Sequence, residues 1–361
     1  MTASEPLAVS RRWLVHLRSV EPIRWSAIAE GVSCPAAVAT GERRVTLFAR
    51  GSGSELVVLE RDADAWSEPR SLGVPLARPA GSRSPTMPVD WPIAACATGP
   101  AEIQLLARGP EGELLHGTLR GGEWGGFDCI GSPATWVGET AIPMGLASAP
   151  SACSRDPGRM DVFATEWSGR LLGSAWDSGG FAEFEPLGNV VLVDGRSEPV
   201  LGPISACSCG ARAMAVAARG AAGDLLIKWW DGAKWTPFAS LGFITEPDPV
   251  YPAVDFPVPL ASAPVACSGG STRLDVFARG QYGELLHKWW DGKNWSRFES
   301  LGHPRSDPEG APTAFTGVSL ACVWGKFQLD VFARAADGKL YNAWWNGSWA
   351  RQRPTPEQRA P

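Results

Sequence analysis

The sequence predicts an all-β protein, a β-propeller of four-stranded blades, with six blades as the favoured count and seven as the alternative. Three observations predict this fold: a long internal repeat, turn residues throughout, and unusually many tryptophans. The 361 residues include 41 Gly, 31 Pro and 18 Trp. Frequent Gly and Pro imply frequent turns, which suit short strands better than helices. A propeller of this length forms one domain, so residues 1–361 are expected to fold as a unit.

The repeat is measured on the arginine of a recurring F-A-R element. Successive copies lie 54 to 60 residues apart. Six such periods span nearly the whole chain, and each has the size of a four-stranded blade with its loops. The arginine falls at Arg50, Arg108, Arg219, Arg279 and Arg334, and Thr165 takes its place in the third unit.

Residues 273–302 form the clearest unit and show how one blade is built. Strands are predicted at 274–279, 285–290 and 295–301, with turns at 280–283 and at Asp291-Gly292. Turns of the Asp-Gly kind between aromatic and β-branched runs are strong hairpin signals. A short strand of small residues, here 264–268, precedes the hairpin. Because blades converge on a central channel, we expect the small residues at the hub and the tryptophans at the periphery.

The repeat also predicts the blade boundaries and the way the ring closes. Residues 11–31 resemble the outer half of a unit, so we expect this N-terminal segment to supply an outer strand to the last blade. Such closure removes the free strand edges that would otherwise promote aggregation. The predicted blades 1 to 6 are residues 33–73, 92–131, 146–188, 202–242, 262–302 and 317–351.

Most of the eight cysteines are explained by the repeat. Five of them occupy one position of the innermost strand: Cys96, Cys153, Cys207, Cys267 and Cys322. A small apolar residue satisfies this position, as Val38 does in the first unit, so packing is the favoured interpretation. Zinc at Cys207 and Cys209, or a soft metal in a ring of channel thiols, remain weaker alternatives. We therefore predict no cofactor, no metal and no disulfide framework.

Charge and hydropathy exclude several partner classes. The net charge is −5 and no polybasic run occurs, which argues against nucleic acid and anionic membranes as partners. No apolar run reaches about 18 residues, the length that a transmembrane helix needs. The N-terminus has no apolar secretory segment, so the protein is expected in the cytoplasm or released without a classical signal peptide. The sequence leaves the oligomeric state open.

Three motifs of the fifth unit carry a family resemblance: VFARG (276–280), ELLHKWWDG (284–292) and NWSRFESLG (294–302). On these motifs the chain resembles the bacterial tectonin-like lectins of the Photorhabdus luminescens lectin type, and weaker copies extend over residues 33–350. The resemblance implies propeller blades and binding of fucose and related, sometimes O-methylated, sugars in clefts between blades. Units 1 to 3 lose the K-W-W element, so they depart from the pattern.

Sugar binding also has a physical rationale in the residues themselves. Pyranose rings have apolar C–H faces that stack on indole, while their hydroxyls need a few fixed polar partners. Side chains alternate along 285–290, so His287 and Trp289 share one face, and Lys288 and Trp290 the other. Both faces of a blade are covered by neighbours, so most of these tryptophans are expected in the core. The candidate glycan-binding residues are Lys228, Trp229, Trp230, Trp235, His287, Lys288, Trp289, Trp290, Trp295, Trp344, Trp345 and Trp349.

Two other function classes stay open, although a non-catalytic protein is favoured. Five long linkers at about 74–91, 132–145, 189–201, 243–261 and 303–316 must emerge on one rim and would wall a pocket at the channel mouth. Their carboxylates would suit an acid/base enzyme, whereas solvated turns or a protein-interaction scaffold are the alternatives. His16, His116 and His287 recur at one repeat position, which indicates packing rather than catalysis. The alternative-pocket residues are Asp90, Trp91, Trp136, Glu139, Asp194, Glu198, Asp248, Tyr251, Asp255 and Asp307.

Overall fold

The structure, a computed structural model, consists of strands joined by turns and bends. It describes residues 26–41, 44–62, 65–137, 140–191, 197–247, 255–304, 311–323, 328–345 and 349. Throughout these residues the regular secondary structure is β. They contain no helix long and apolar enough to cross a bilayer.

Thirty-four strands follow one another in the described residues. The first part of the chain contains β1 (Ser26–Glu30), β2 (Ser33–Gly41), β3 (Arg44–Arg50), β4 (Leu56–Asp62), β5 (Ala65–Trp66), β6 (Arg70–Ser71), β7 (Leu76–Arg78), β8 (Met87–Pro88), β9 (Asp90–Gly99), β10 (Glu102–Arg108), β11 (Leu114–Arg120), β12 (Glu123–Gly131), β13 (Ala134–Val137), β14 (Thr140–Pro143), β15 (Ser151–Cys153), β16 (Met160–Thr165) and β17 (Leu171–Asp177). The second part contains β18 (Gly180–Phe181), β19 (Glu185–Gly188), β20 (Val190–Val191), β21 (Ser197–Glu198), β22 (Leu201–Ser208), β23 (Met214–Arg219), β24 (Leu225–Trp230), β25 (Ala239–Ser240), β26 (Ile244–Pro247), β27 (Asp255–Val258), β28 (Val265–Ser268), β29 (Leu274–Arg279), β30 (Leu285–Trp290), β31 (Glu299–Gly302), β32 (Phe315–Val323), β33 (Leu329–Ala335) and β34 (Lys339–Trp345).

Six sheets form the blades, and all their strand pairs are antiparallel except β7 with β12 in blade 2. The innermost strands, β2, β9, β15, β22, β28 and β32, contact one another around a closed ring. Blades 4 and 5 are the simplest, each with four consecutive strands, β22–β25 and β28–β31. In blades 1 and 3 the outermost strand is split in two, into β5 and β6 and into β18 and β19. Blade 2 carries β7 and β8 outside its fourth strand. The expected six-bladed β-propeller is confirmed.

The ring closes through the N-terminal strand, as predicted. Strand β1 pairs antiparallel with β34 and becomes the outermost strand of blade 6, in the order β32-β33-β34-β1. The register places Ser26 opposite Asn342 and Glu30 opposite Lys339. The Glu30 carboxylate also accepts the Lys339 ammonium at 3.2 Å. The first described strand and the last thus share one sheet.

The innermost strands surround a central channel of about 500 Å³. Alanine, proline, serine and cysteine line most of it, as the run of small residues predicted. Cys96, Cys153, Cys207 and Cys267 face this channel from four blades and are buried. Serine hydroxyls join neighbouring innermost strands here. Ser151 Oγ of blade 3 accepts a hydrogen bond from the Ala206 amide of blade 4 at 2.9 Å, and Ser205 Oγ of blade 4 accepts one from the Ala266 amide of blade 5 at 2.9 Å.

Each of the six blade interfaces has its own apolar core. Six separate clusters of buried side chains fill the interfaces between consecutive blades, including that between blade 6 and blade 1. Alternation along a strand assigns neighbouring residues to different clusters. In β29, Leu274 and Val276 pack toward blade 4, whereas Phe277 packs toward blade 6. Stability is therefore distributed around the ring rather than concentrated in one centre.

The linkers between blades contain short strands, which the sequence analysis did not predict. Three linkers form two-stranded hairpins, β13–β14, β20–β21 and β26–β27, and a fourth supplies β7 and β8 to blade 2. After blades 2 to 5 the end of the linker binds back to a turn of the preceding blade: for example, the Phe315 amide donates to the Gly283 carbonyl at 2.8 Å, and the Leu260 amide to the Gly223 carbonyl at 2.8 Å. These strands have only two to four residues each, too few for their periodicity to show in the sequence.

Candidate functional site

The third strand of a blade presents its two faces to two different neighbours. In β30, the Trp290 ring lies 5.3 Å from Trp229 of blade 4, measured between centroids. On the opposite face of the same strand, the His287 ring lies 5.7 Å from Trp349 of blade 6. Indoles from adjacent blades consequently meet in the clefts between them, and their partial exposure leaves part of each ring facing solvent.

The cleft between blades 4 and 5 contains three indoles in contact. Trp229 comes from blade 4, and its ring lies 5.3 Å from Trp290 and 6.5 Å from Trp295, both of blade 5. A backbone bridge between Trp290 and Trp295 fixes the latter pair. Blade 4 has Ala213 and Ala215 where blade 5 has the charged pair Arg273 and Asp275. Both alanines belong to the apolar cluster between blades 4 and 5 that also contains the three tryptophans.

The cleft between blades 5 and 6 contains an arginine between two indoles. The Arg273 guanidinium lies 5.3 Å from the Trp289 ring centroid and 5.1 Å from that of Trp345. Asp275, 1% exposed, fixes it by accepting Nε at 2.8 Å and Nη2 at 2.6 Å. Nη1 has no hydrogen-bond partner among the described residues, so its N–H groups remain available to a ligand. Aromatic walls and fixed donors therefore coincide here.

His287 contacts both the charged pair and an indole of this cleft. Its Nε2 lies 2.9 Å from Asp275 Oδ1 and its Nδ1 lies 2.8 Å from Glu299 Oε1. The ring stacks between Phe277 at 4.6 Å and Trp289 at 5.0 Å. At 1% exposure His287 is placed to orient Trp289 rather than to touch a ligand.

The electrostatics of this network favour an ionised Asp275. Burial alone would raise the pKa of this carboxyl, because a charge is costly away from water. Hydrogen bonds from His287 and Arg273, together with their positive charges, outweigh burial and leave the pKa below its ordinary value. The charged carboxylate therefore holds both partners in place.

Between blade 6 and blade 1, Arg61 stands where blades 4, 5 and 6 have Trp230, Trp290 and Trp345. Arg61 donates to Asp330 through Nη1 at 2.9 Å and Nη2 at 2.5 Å, and Asn342 donates to the same carboxylate at 2.8 Å. The Arg61 guanidinium also lies 5.5 Å from the Trp66 ring. With no indole opposite it at this position, Trp344 is 41% exposed. This cleft presents the most accessible indole of the predicted set within the described residues.

The cleft between blades 3 and 4 is aromatic but more closed. Trp235 packs 5.7 Å from Trp230 and 5.5 Å from Phe163 of blade 3. Ala175 of blade 3 stands where blade 4 has Trp229, so the preceding blade contributes no indole. The Trp230 Nε1 is buried and lacks a hydrogen-bond partner in the described part of the chain. Trp230 and Trp235 thus serve mainly as packing between blades.

The two predicted lysines lie inside their own blades. Lys228 and Lys288 are 5% and 8% exposed, and burial lowers the pKa of both ammonium groups. Lys228 Nζ donates to the Thr236 carbonyl at 2.6 Å. Their ammonium groups lie 5.2 and 4.7 Å from the rings of Phe238 and Phe298, respectively. Cation–π contacts within a blade occupy these lysines, which places them outside the accessible part of the clefts.

His116 occupies in blade 2 the position that His287 has in blade 5. Its Nε2 lies 2.8 Å from Gln104 Oε1, and its ring lies 5.5 Å from Trp176 and 5.2 Å from Phe181 of blade 3. Burial lowers the pKa of this histidine. His116 and His287 thus pack against aromatic rings, in agreement with the interpretation that this repeat position serves packing rather than catalysis.

Comparison with known proteins places the fold. A family model described as a repeat of unknown function, DUF346, matches residues 274–314. No curated protein sequence matches the chain. A lectin from Aleuria aurantia, described as six-bladed with a fucose recognition mode, is 18% identical, covers 91% of this chain and 98% of its own, and has a TM-score of 0.57. The BP39L lectin from Burkholderia pseudomallei is 21% identical, with 90% and 100% covered and a TM-score of 0.52.

A third similar structure, AofleA from Arthrobotrys oligospora, is 11% identical, with 91% of this chain and 88% of that chain covered and a TM-score of 0.56. Identities this low establish shared architecture and nothing finer. The chain is similar to six-bladed propellers over nearly its full described length. Which residues bind a ligand has to be argued from its own clefts.

The alternative pocket at the channel mouth is only partly described. Asp90 forms an ion pair with Arg108 at 2.5 Å, and Trp91 packs against the core between blades 1 and 2. Glu198 lies in β21, while Trp136 and Asp255 lie in β13 and β27 with side chains outside the described set. Residues Glu139, Asp194, Asp248, Tyr251 and Asp307 lie outside the described residues.

Sequence reasoning missed the polar residues that organise the clefts. Arg273, Asp275, Arg61 and Asp330 were not among the candidates. A signal was available: an aspartate recurs inside the otherwise apolar second strand, in MDVF, LDVF and again LDVF at Asp161, Asp275 and Asp330. A buried carboxylate is stable only with a partner, so its recurrence indicates a nearby cation.

Proposed function

We propose that the protein is a carbohydrate-binding lectin that takes sugars in the clefts between its blades. The observation that carries the proposal is the arginine held between Trp289 and Trp345. Sugar rings need flat apolar walls for their C–H faces and a few fixed donors for their hydroxyls. The clefts next to blades 5 and 6 supply both without any catalytic arrangement.

Three clefts form the proposed set of sites. The cleft between blades 4 and 5 offers Trp229, and that between blades 5 and 6 offers Trp289 and Arg273. The cleft between blades 6 and 1 offers the exposed Trp344. Lys228, Lys288 and His287 act behind these surfaces, because each is at least nine-tenths buried. Ligand contact is thus proposed for the indoles and Arg273.

A fucose-like or O-methylated sugar is the proposed ligand class. Aromatic surface dominates these clefts and polar donors are few, which suits a deoxy or methylated sugar better than a fully hydroxylated one. The likeness of the repeat to the Photorhabdus luminescens lectin type agrees with this. So does the fucose recognition named for the similar Aleuria aurantia lectin. With several clefts on one ring, binding to glycan-coated surfaces gains from multivalency.

The proposal is tested by calorimetric titration of the whole chain with α-methyl-L-fucoside, after a glycan array has ranked the sugars. Trp289→Ala and Trp344→Ala each remove the wall of one cleft. Each variant is expected to weaken binding in its cleft at least tenfold, about 1.4 kcal/mol, and to lower the measured stoichiometry. Trp167→Ala is the matched control, since Trp167 is 67% exposed on a blade 3 turn, where it contacts Arg108 rather than a cleft indole.

Two outcomes would overturn the proposal. One is no binding to any sugar on a broad array, which would favour a protein-interaction scaffold. The other is sugar binding whose affinity and stoichiometry are unchanged in both Trp289→Ala and Trp344→Ala, which would move the site to the channel mouth. Unchanged far-ultraviolet circular dichroism in the variants shows that a loss of binding is local.

A further inference from the structure

One tryptophan of blade 3 is not explained by the repeat. Trp167 lies in the turn between β16 and β17, two residues after the position of the repeated arginine, and it is 67% exposed. The other five blades have no aromatic residue at this position, where they carry Ser52, Pro110, Ala221, Gln281 and Ala336. Leaving an indole in water forgoes the free energy of burying it, so packing gives no reason for this tryptophan.

A second residue that departs from the repeat meets Trp167 at the same place. Arg108, the repeated arginine of blade 2, donates through Nη1 to Asp90 Oδ2 at 2.5 Å, and its guanidinium lies 5.3 Å from the Trp167 ring centroid. The strand register places Asp90 opposite Arg108. Uncharged residues stand opposite the repeated arginine in blades 1, 4 and 6, namely Ser33, Leu201 and Gly317. A linker and a turn thus place a carboxylate and an indole around one guanidinium.

Further contacts hold this cluster of Asp90, Arg108 and Trp167 in place. Arg108 Nε donates to the Leu146 carbonyl at 2.5 Å, so two of its nitrogens are fixed. The indole lies against the linker backbone: a Cβ on Gly145 would be 3.1 Å from Trp167 Nε1, and glycine leaves this room. A preorganised site loses little conformational entropy when it binds a ligand. The indole is therefore both exposed and oriented, as a stacking surface for a ligand needs to be.

The groups that remain available suit a neutral, hydroxylated ligand. The Asp90 side chain is 42% exposed, and its Oδ1 accepts no hydrogen bond from the described residues. Arg108 Nη2 likewise donates to no group in the described part of the chain. The carboxylate and the guanidinium neutralise each other, so the cluster has no net charge to attract an ion. A sugar hydroxyl donates and accepts at once, and the C–H face of a sugar ring stacks on indole.

The position of this cluster separates it from the clefts. Trp167 lies in the turn that joins the second strand of its blade to the third. The cleft residues Arg273 and Trp289 lie at the other end of these two strands, because Arg273 precedes the second strand and Trp289 is near the end of the third. The cluster therefore faces the opposite rim of the propeller from the clefts, so a ligand at one rim leaves the other free.

The two rims also differ in the sugar that they suit. Trp167 offers a single flat wall, unlike the paired indoles around Arg273, so its ligand needs a broad, unbroken C–H face, as an all-equatorial pyranose has. Asp90 needs hydroxyls that donate, which O-methylation would remove. We propose that Asp90, Arg108 and Trp167 form a second carbohydrate-binding site, which takes a fully hydroxylated, all-equatorial pyranose such as a β-glucoside. This proposal does not depend on sugar binding in the clefts.

Fluorine NMR of the full-length chain labelled with 5-fluorotryptophan tests the site. The Trp167 resonance is the one that is missing from Trp167→Phe, and Trp289 and Trp344 are assigned in the same way. We expect cellobiose, a β-linked glucose disaccharide, to shift the Trp167 resonance with saturation, whereas α-methyl-L-fucoside should leave it unmoved. Asp90→Ala should weaken cellobiose binding about tenfold, since it removes a hydrogen bond to a charged group. Trp344→Phe is the matched control and should not change the affinity for cellobiose.

Three results would contradict the proposal. They are a Trp167 resonance that cellobiose does not shift at its highest soluble concentration, a shift with the same affinity in Asp90→Ala, and cellobiose shifts confined to Trp289 or Trp344, which would assign the disaccharide to the clefts. Unchanged far-ultraviolet circular dichroism shows that each variant is folded, and Asp90→Asn replaces Asp90→Ala if the latter does not fold. Failure of α-methyl-L-fucoside to shift any resonance bears on the clefts alone.

Discussion

Removing Arg61 should destabilise the protein through the carboxylate that it leaves behind. Arg61 of blade 1 and Asp330 of blade 6 are 6% and 0% exposed, and two hydrogen bonds of 2.9 and 2.5 Å join them. Breaking a buried ion pair on one side costs about 3–5 kcal/mol, because the remaining charge stays away from water. Asn342 still donates to Asp330 in Arg61→Leu, so we expect a loss near the lower limit, about 3 kcal/mol.

The double variant Arg61→Leu/Asp330→Leu separates the cost of the orphaned charge from the value of the pair. With both charges gone and apolar volume in their place, stability should return to within about 1–2 kcal/mol of the wild type. Urea unfolding followed by tryptophan fluorescence measures both variants without adding salt that would screen the pair. The reasoning is refuted if the single and double variants unfold with equal free energies.

Three further predictions concern the acid range, a turn and the hub. Because the pKa of Asp275 is lowered in the folded protein, its charged form stabilises the fold above the ordinary Asp pKa, and this stability is lost as pH falls below about 4. In Asp275→Asn the free energy of unfolding should therefore depend less on pH in this acid range. Gly283→Ala should lower the free energy of unfolding in urea by about 1–3 kcal/mol, since the added Cβ would lie 2.6 Å from the Cβ of Ala314 in the next linker. Gly302→Ala is the control: the space around Gly302 is open, so it should lower this free energy by only about 1 kcal/mol. Ser205→Ala should leave the Ala266 amide without its acceptor, and faster hydrogen exchange at that amide would reveal it; unchanged exchange would contradict the assigned bond.

The architecture could be predicted because the same pattern of strands and turns recurs six times along the chain. An arginine at near-constant spacing gave the blade count, and small residues before each hairpin gave the hub. Ring closure followed from an outer half-unit left over at the N-terminus, and β1 pairs with β34 as expected. The linker hairpins were missed because their strands have only two to four residues each, too few to show periodicity.

The clefts were predicted only in part, since contacts between blades depend on two units at once. Lys228 and Lys288 were chosen because they precede tryptophans, yet each contacts a phenylalanine ten residues later in its own repeat. The same spacing of lysine and phenylalanine occurs in both units, so this contact could have been predicted from the sequence. By contrast, the position of Arg273 against Trp345 joins residues of different units, and the sequence has no local pattern that brings them together.

The pairing of β1 with β34 sets an order of events during synthesis. Residues 26–30 are synthesised before the strands of blades 1 to 5, but their hydrogen-bonding partner, residues 339–345, is synthesised after all of them. Domains fold progressively as the chain emerges, so the first five blades can assemble while this early strand waits with an unsatisfied edge. Its capture completes the ring only after residues 339–345 have been synthesised. Chains that stop early therefore carry an exposed strand that marks them as unfinished, available to chaperones or to another truncated copy.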